Sequence, residues 1–79
     1  MNNTTQFNQG QFTVPEVVKL INYTVIKNDR TTEFLPENLG IIVGVLTLND
    51  EVEMVVKFID RVCQFTKSEF NKQYRVIRE

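Results

Sequence analysis

The stretch from Asp50 to Arg78 constrains this chain most, because its apolar residues recur at helical spacing along its whole length. Val52, Val55, Val56, Ile59, Val62, Cys63, Thr66, Phe70, Tyr74 and Ile77 fall on one stripe of a 3.6-residue period, the pattern of a helix with one buried face. Met54, Phe58 and Phe65 form a second ridge beside that stripe, and Glu53, Lys57, Asp60, Arg61, Gln64 and Arg75 share the opposite side. Asp50 and Glu53 have the spacing of a capping box, with Leu48 placed to pack on Met54 as a hydrophobic staple. Acids at the start (Asp50, Glu51, Glu53) and bases at the end (Lys72, Arg75, Arg78) follow the order that a helix dipole favours.

Upstream, Thr13-Val-Pro-Glu16 also has capping-box spacing, with Pro15 in the first turn where its missing N–H costs nothing. Val14, Val17, Val18, Ile21 and Val25 then repeat at helical spacing until Asn28-Asp29. Leu35-Pro-Glu37 through Ile42 aligns with Val14-Pro-Glu16 through Ile21, and the same offset lays Asn49-Asp50 on Asn28-Asp29, which suggests two similar helices. Gly40 and Gly44, four apart, offer a strip for close packing in the second.

The expected fold is therefore all-α, with short helices at Pro15–Lys27 and Pro36–Leu48 packed on the long C-terminal helix. Leu39, Ile42, Val43, Leu46, Val55, Val56, Ile59 and Val62 are its expected core. The alternative is α+β: a hairpin of Tyr23–Lys27 and Thr31–Phe34 around Asn28-Asp29, a third strand at Gly40–Leu48, and the same long helix. Residues 1–12 are polar, with two isolated aromatic residues, Phe7 and Phe12, and are expected to be a disordered tail that could order on a partner. Residues 13–79 form the single domain.

Seventy-nine residues support only a modest core, so small chains of this kind draw on metals, disulfides or oligomerisation. With no His and one Cys, Cys63, which sits on the apolar stripe as an inert packed thiol, oligomerisation is the route left. A symmetric homo-oligomer is expected, with Met54, Phe58 and Phe65 at its interface.

The missing His removes Ser-His and Cys-His pairs, and neither a Gly-rich phosphate loop nor a CxxC pair occurs. No cofactor, metal or enzymatic role is expected, and the acids at 50, 51 and 53 are read as helix-start charges. The net charge of −1 argues against a strongly basic nucleic-acid binder. The longest apolar run, Leu39 to Leu48, is about half the ~20 residues a membrane span needs, and no signal peptide is evident, so a cytoplasmic protein without membrane contact is expected.

Absence of alanine and abundance of Asn, Lys, Ile and Phe suggest an AT-rich bacterial genome or one of its phages or plasmids. These features converge on a non-enzymatic module that binds itself and another protein, a small regulatory or accessory factor. The alternative is a DNA-binding transcriptional or replication regulator, contacting phosphates through Lys67, Lys72, Arg75 and Arg78 with Phe70 and Tyr74 interleaved.

Overall fold

In a computed structural model that describes residues 10–28 and 34–78, the stretch from Asp50 onward is not one helix. Its first third alternates: Val52, Met54, Val56 and Phe58 point one way, while Glu51, Glu53, Val55 and Lys57 point the other. That is the two-residue period of a strand, and it outcompetes the helical phasing because every one of the inward residues reaches a common core. The expected capping box at Asp50 is instead a hairpin turn. Asn49 and Asp50 have φ of 50° and 66°, the positive values that a two-residue type I′ connection requires and that Asn and Asp tolerate best after Gly.

The all-α expectation is thus overturned: the described residues form a five-stranded antiparallel sheet with two short helices on one face. Helix α1 (Val14–Val18) leads to strand β1 (Thr24–Lys27); a 3₁₀ turn (Pro36–Asn38) leads to β2 (Leu39–Leu48), which pairs with β3 (Glu51–Phe58). Strand β4 (Val62–Phe65), helix α2 (Lys67–Gln73) and β5 (Tyr74–Ile77) complete the chain. The sheet order is β4-β3-β2-β1-β5, so the last strand crosses the molecule to lie on β1, Thr24 opposite Ile77 and Lys27 opposite Tyr74.

Each expected helix fails for a local reason. The capping box at Thr13 does form, the Glu16 N–H donating to Thr13 Oγ1 and the Thr13 N–H to Glu16 Oε1. The helix stops after five residues, however, in turns that end at Asn22, whose φ of 80° no helix admits. Tyr23-Thr-Val-Ile then continues extended, as its β-branched residues favour. Pro36-Glu37 opens a single 3₁₀ turn, after which the β-branched run Ile41-Ile42-Val43 with its flanking glycines becomes strand β2.

Thr66 and Glu69 make a second complete capping box and start α2, at a point the periodic stripe had treated as helix interior. The alternative reading places strands where β1 and β2 lie, but its long C-terminal helix is likewise absent. Its hairpin partner at Thr31–Phe34 lies mostly outside the described residues.

The core lies between the sheet and the helices. Val25, Ile42, Met54, Val56 and Phe58 from the strands meet Val17 of α1 and Phe70 of α2. Phe12, assigned by the sequence to the polar tail, is buried there against Phe70, ring centroids 6.3 Å apart. Phe7 lies outside the described residues. Of the expected core, Ile42 and Val56 are buried and Leu39, Leu46 and Val55 half-buried, whereas Val43, Ile59 and Val62 are exposed on the other side or at a turn.

Gly40 is where packing is tightest. It pairs directly with Phe58, and a Cβ there would sit 2.7 Å from Val56 Cγ1 and 2.8 Å from Phe58 Cε1, both on side chains with no room to withdraw. At Gly44 the same methyl meets nothing within 4 Å. Gly40→Ala is therefore expected to destabilise the fold by about 1–3 kcal/mol through overpacking, and Gly44→Ala by no more than about 0.5 kcal/mol, both read from urea unfolding. In the hairpin, Asp50→Gly removes the steric penalty of a positive φ and is expected to stabilise by about 0.5–1 kcal/mol in the same assay.

Candidate functional site

Two surfaces carry chemistry beyond ordinary solvation. The first is the side of the sheet that faces away from the helices. Cross-strand registers place Val62, Lys57, Ile41, Thr24 and Ile77 in one row across it, with Gln64, Val55 and Gly44 in the next. A register shift between Ile42 and Gly44, a β-bulge, adds Val43 to the exposed apolar set.

Ile41 is 47%, Val62 60% and Ile59 68% exposed, although each is a residue that folding ordinarily buries. Leu39, Ile41, Val43, Ile59 and Pro36 enclose an open hollow of about 460 Å³, with Lys57 the one charged residue among the described residues that line it. The Lys57 ammonium donates to the Phe58 carbonyl at 3.2 Å, so its alkyl stem lies along the apolar floor. Ile26, on the same side opposite Leu39, is wholly buried, so the open region lies over β2, β3 and β4.

The second surface is a groove between α1, α2 and β5. Here the bases expected to touch nucleic acid are distributed over several elements. Lys67 opens α2 and its Nζ bonds Glu16 Oε2 at 3.0 Å. Lys72 is exposed near the end of α2. Arg75 lies on β5 and donates to Asn28 Oδ1 at 3.2 Å, while the Arg78 guanidinium stands 5.6 Å from the centroid of the Tyr23 ring. Lys67, Arg75 and Arg78 line one groove, but Glu16 lies in it as well. Phe70 and Tyr74, the rings that were to stack on bases, are 4% and 5% exposed and stack on each other at 6.0 Å, leaving no face for a base.

The residues expected at a self-association interface are placed inside the chain. Met54 is fully buried, Phe58 nearly so, and Phe65 is half-buried with its ring 5.1 Å from Tyr74 and 6.3 Å from Phe70. The reason is the period: at helical spacing these three make a ridge beside the buried stripe, whereas on strands β3 and β4 they point into the core. The surface that takes their place is built around Ile41, Val43, Ile59 and Val62, of which the last three are residues expected in the core. Alternation in Glu51-Val-Glu-Met-Val-Val-Lys-Phe58, interrupted at Val55, is the signal that favours a strand there, and the interruption is what weakens it.

No family model, curated protein or solved structure matches the chain. Among the described residues no three His, Cys, Asp or Glu side chains come together where they could hold a metal ion. No helix there is long and apolar enough to cross a membrane. Cys63 is free and half-buried on the core side of β4, as its apolar neighbours dictate.

Electrostatics in the groove have a definite sign. Partial burial works to raise the Glu16 pKa, but the Thr13 N–H and the Lys67 ammonium outweigh it, and the carboxyl titrates below its ordinary value. A group whose folded-state pKa is lowered adds stability above its unfolded pKa and loses it as pH falls through the folded value. Urea midpoints are therefore expected to hold from neutrality to about pH 5 as far as this pair is concerned, and to fall on further acidification. Glu16→Gln lowers the neutral-pH midpoint and removes that part of the acid dependence; an unchanged acid limb would mean the pair is fully screened by solvent.

Proposed function

We propose that this protein is a non-enzymatic module that works by binding protein through the outward side of its sheet. The observation that carries this reading is the exposure of Ile41, Val43, Ile59 and Val62 around one apolar hollow. Scattered surface apolar residues need no explanation, but a contiguous patch with a concave centre and a polar rim is the anatomy of a binding surface. Branched aliphatic side chains held on a rigid sheet also lose little conformational freedom when covered. The residue usage of an AT-rich bacterial genome fits a small accessory or regulatory factor of a phage or plasmid.

The groove bases support nucleic-acid binding less well. Lys67 is engaged by Glu16, the neighbouring rings are closed to stacking, and the net charge is −1. Salt-dependent affinity of the specific kind needs a continuous run of cations along a phosphate backbone.

Substitution separates the two surfaces. Ile41→Glu and Val62→Glu replace exposed side chains and are expected to leave the far-ultraviolet circular dichroism spectrum intact while abolishing chemical cross-linking to any protein partner. Lys72→Glu with Arg78→Glu is expected to leave cross-linking unchanged. Fluorescence anisotropy with duplex DNA at two salt concentrations is expected to give only non-specific affinity, weaker than about 10⁻⁶ M. Submicromolar DNA binding lost in Lys72→Glu, with cross-linking indifferent to Ile41→Glu, would reverse the assignment.

A further inference from the structure

The outward face of the sheet carries a charge order as well as an apolar patch, and the order says what can lie on it. Along β3 the outward residues run Glu51, Glu53, Val55, Lys57, acids toward the hairpin tip and a base toward the other end. Beside them on β2 run Leu48, Leu46, Gly44 and Ile41. We propose, resting on the reading that this face binds protein, that its partner is a second copy of the same chain, packed face to face about a two-fold axis that crosses the strands over Val55 and Gly44.

Symmetry supplies the argument. Two sheets stacked at the usual spacing of about 10 Å, related by a two-fold axis lying between them and perpendicular to the strands, set β3 over β3 in opposite directions. With the axis over Val55, residues equally far to either side of it face one another, so Lys57 of each copy faces Glu53 of the other, twice. Moving the axis to Lys57 would stack two lysines, and moving it to Glu53 two glutamates, both penalised in a desolvated interface. Charge complementarity therefore selects one register.

The apolar residues agree with that register. Ile41, level with Lys57, then faces Leu46 of the other copy, and the next outward residue, the half-exposed Leu48 at the hairpin tip, comes over Leu39 and the apolar hollow beside Ile41 and Ile59. A projecting Leu at one end and a hollow at the other, on one chain, are what a two-fold axis brings together in two copies. Gly44, over which a side chain would meet nothing within 4 Å, leaves the centre open for the approach. The exposed parts of Ile41, Val43, Leu48, Ile59 and Val62 amount to on the order of 500 Å² of apolar surface. With the outward polar residues Thr24, Gln64, Lys57 and Glu53 this nears the ~800 Å² per partner of a stable interface. Residues 1–9 of the same chain are a poorer cover, since only Met1 and Phe7 among them are apolar.

The test is sedimentation equilibrium on the full chain from low to high micromolar concentration. The 9.3 kDa chain is expected to sediment at twice its mass. Lys57→Glu and Glu53→Lys are each expected to raise the dimer dissociation constant at least about tenfold, because each places two like-charged pairs at the interface. The double variant restores the original orientation of charge across the axis and is expected to recover the dimer, an outcome no merely structural role of either residue would give. Val62→Glu, on an edge strand and remote from the core, is a second reporter and also shifts the equilibrium to monomer.

A wild-type chain that stays monomeric throughout overturns the inference. In that event the dye anilinonaphthalene sulfonate, binding to wild type but not to Ile41→Glu, would leave the face open for a different protein. A dye that finds no site would show the face filled from within the chain, and the binding reading would fall with the dimer. A dimer indifferent to Lys57→Glu, Glu53→Lys and Val62→Glu overturns both.

Discussion

A missing side chain holds this fold together. Because Gly40 carries no Cβ, the ring of its cross-strand partner Phe58 can lie over the β2 backbone and still be almost completely enclosed. From there the core continues as a chain of rings. Phe58 meets Tyr74 of β5 at 5.5 Å, Tyr74 meets Phe65 of β4 and Phe70 of α2, and Phe70 meets Phe12 ahead of α1. Phe12–Phe70 and Phe58–Tyr74 join segments distant in sequence, and Phe70–Tyr74 fixes α2 on the strand that follows it, so α2, the last strand and the N-terminal segment are tied into one aromatic cluster.

One consequence is the shape of the surface. Helix α1 has five residues and α2 seven, and both are used on the aromatic side of the sheet. An antiparallel sheet can leave its other face to water when that face is polar. Here β2 is apolar on both sides, with Ile42 and Val45 inward and Ile41, Leu46 and Leu48 outward, and the short helices cannot cover both. The exposed apolar face follows from a chain whose strands carry more apolar surface than its helices can shield, and the same shortage in a small domain makes association the natural way to complete a core.

The charges fit that division. Lys67 is fixed to Glu16 beside the helices and Arg75 to Asn28 at the sheet edge, so both consolidate one chain. Lys57, Glu53 and Glu51 stand on the outward side, where among the described residues none of them forms an ion pair. Burial and charge thus point to the same face, although they arise from different residues.

Much of the local structure was legible in the residues. Capping-box spacing at Thr13–Glu16 marks a real helix start, and the extended preference of Tyr23–Lys27 and Gly40–Leu48, which carries the alternative reading, marks two real strands; the helical strip read from Gly40 and Gly44 does not exist, and Gly40 instead lies against Val56 and the Phe58 ring. What the residues left open was the period of Asp50–Phe58, whose Val, Met and Phe satisfy a helical stripe and a two-residue alternation alike over so short a run. With the period went the site: read as helix, Met54 and Phe58 are surface and Ile59 and Val62 are core, and as strand the sides exchange. The sequence by itself determined the cap at Thr13–Glu16, because those side chains act on neighbouring backbone; Asn49-Asp50, Thr66-x-x-Glu69 and Pro36 act just as locally, but at helical phasing they read as a cap, an interior and a start of longer helices. Only the tertiary structure decided which side of each strand is inside, because that depends on pairings such as Thr24 with Ile77, made between residues far apart in the chain, which no local propensity encodes.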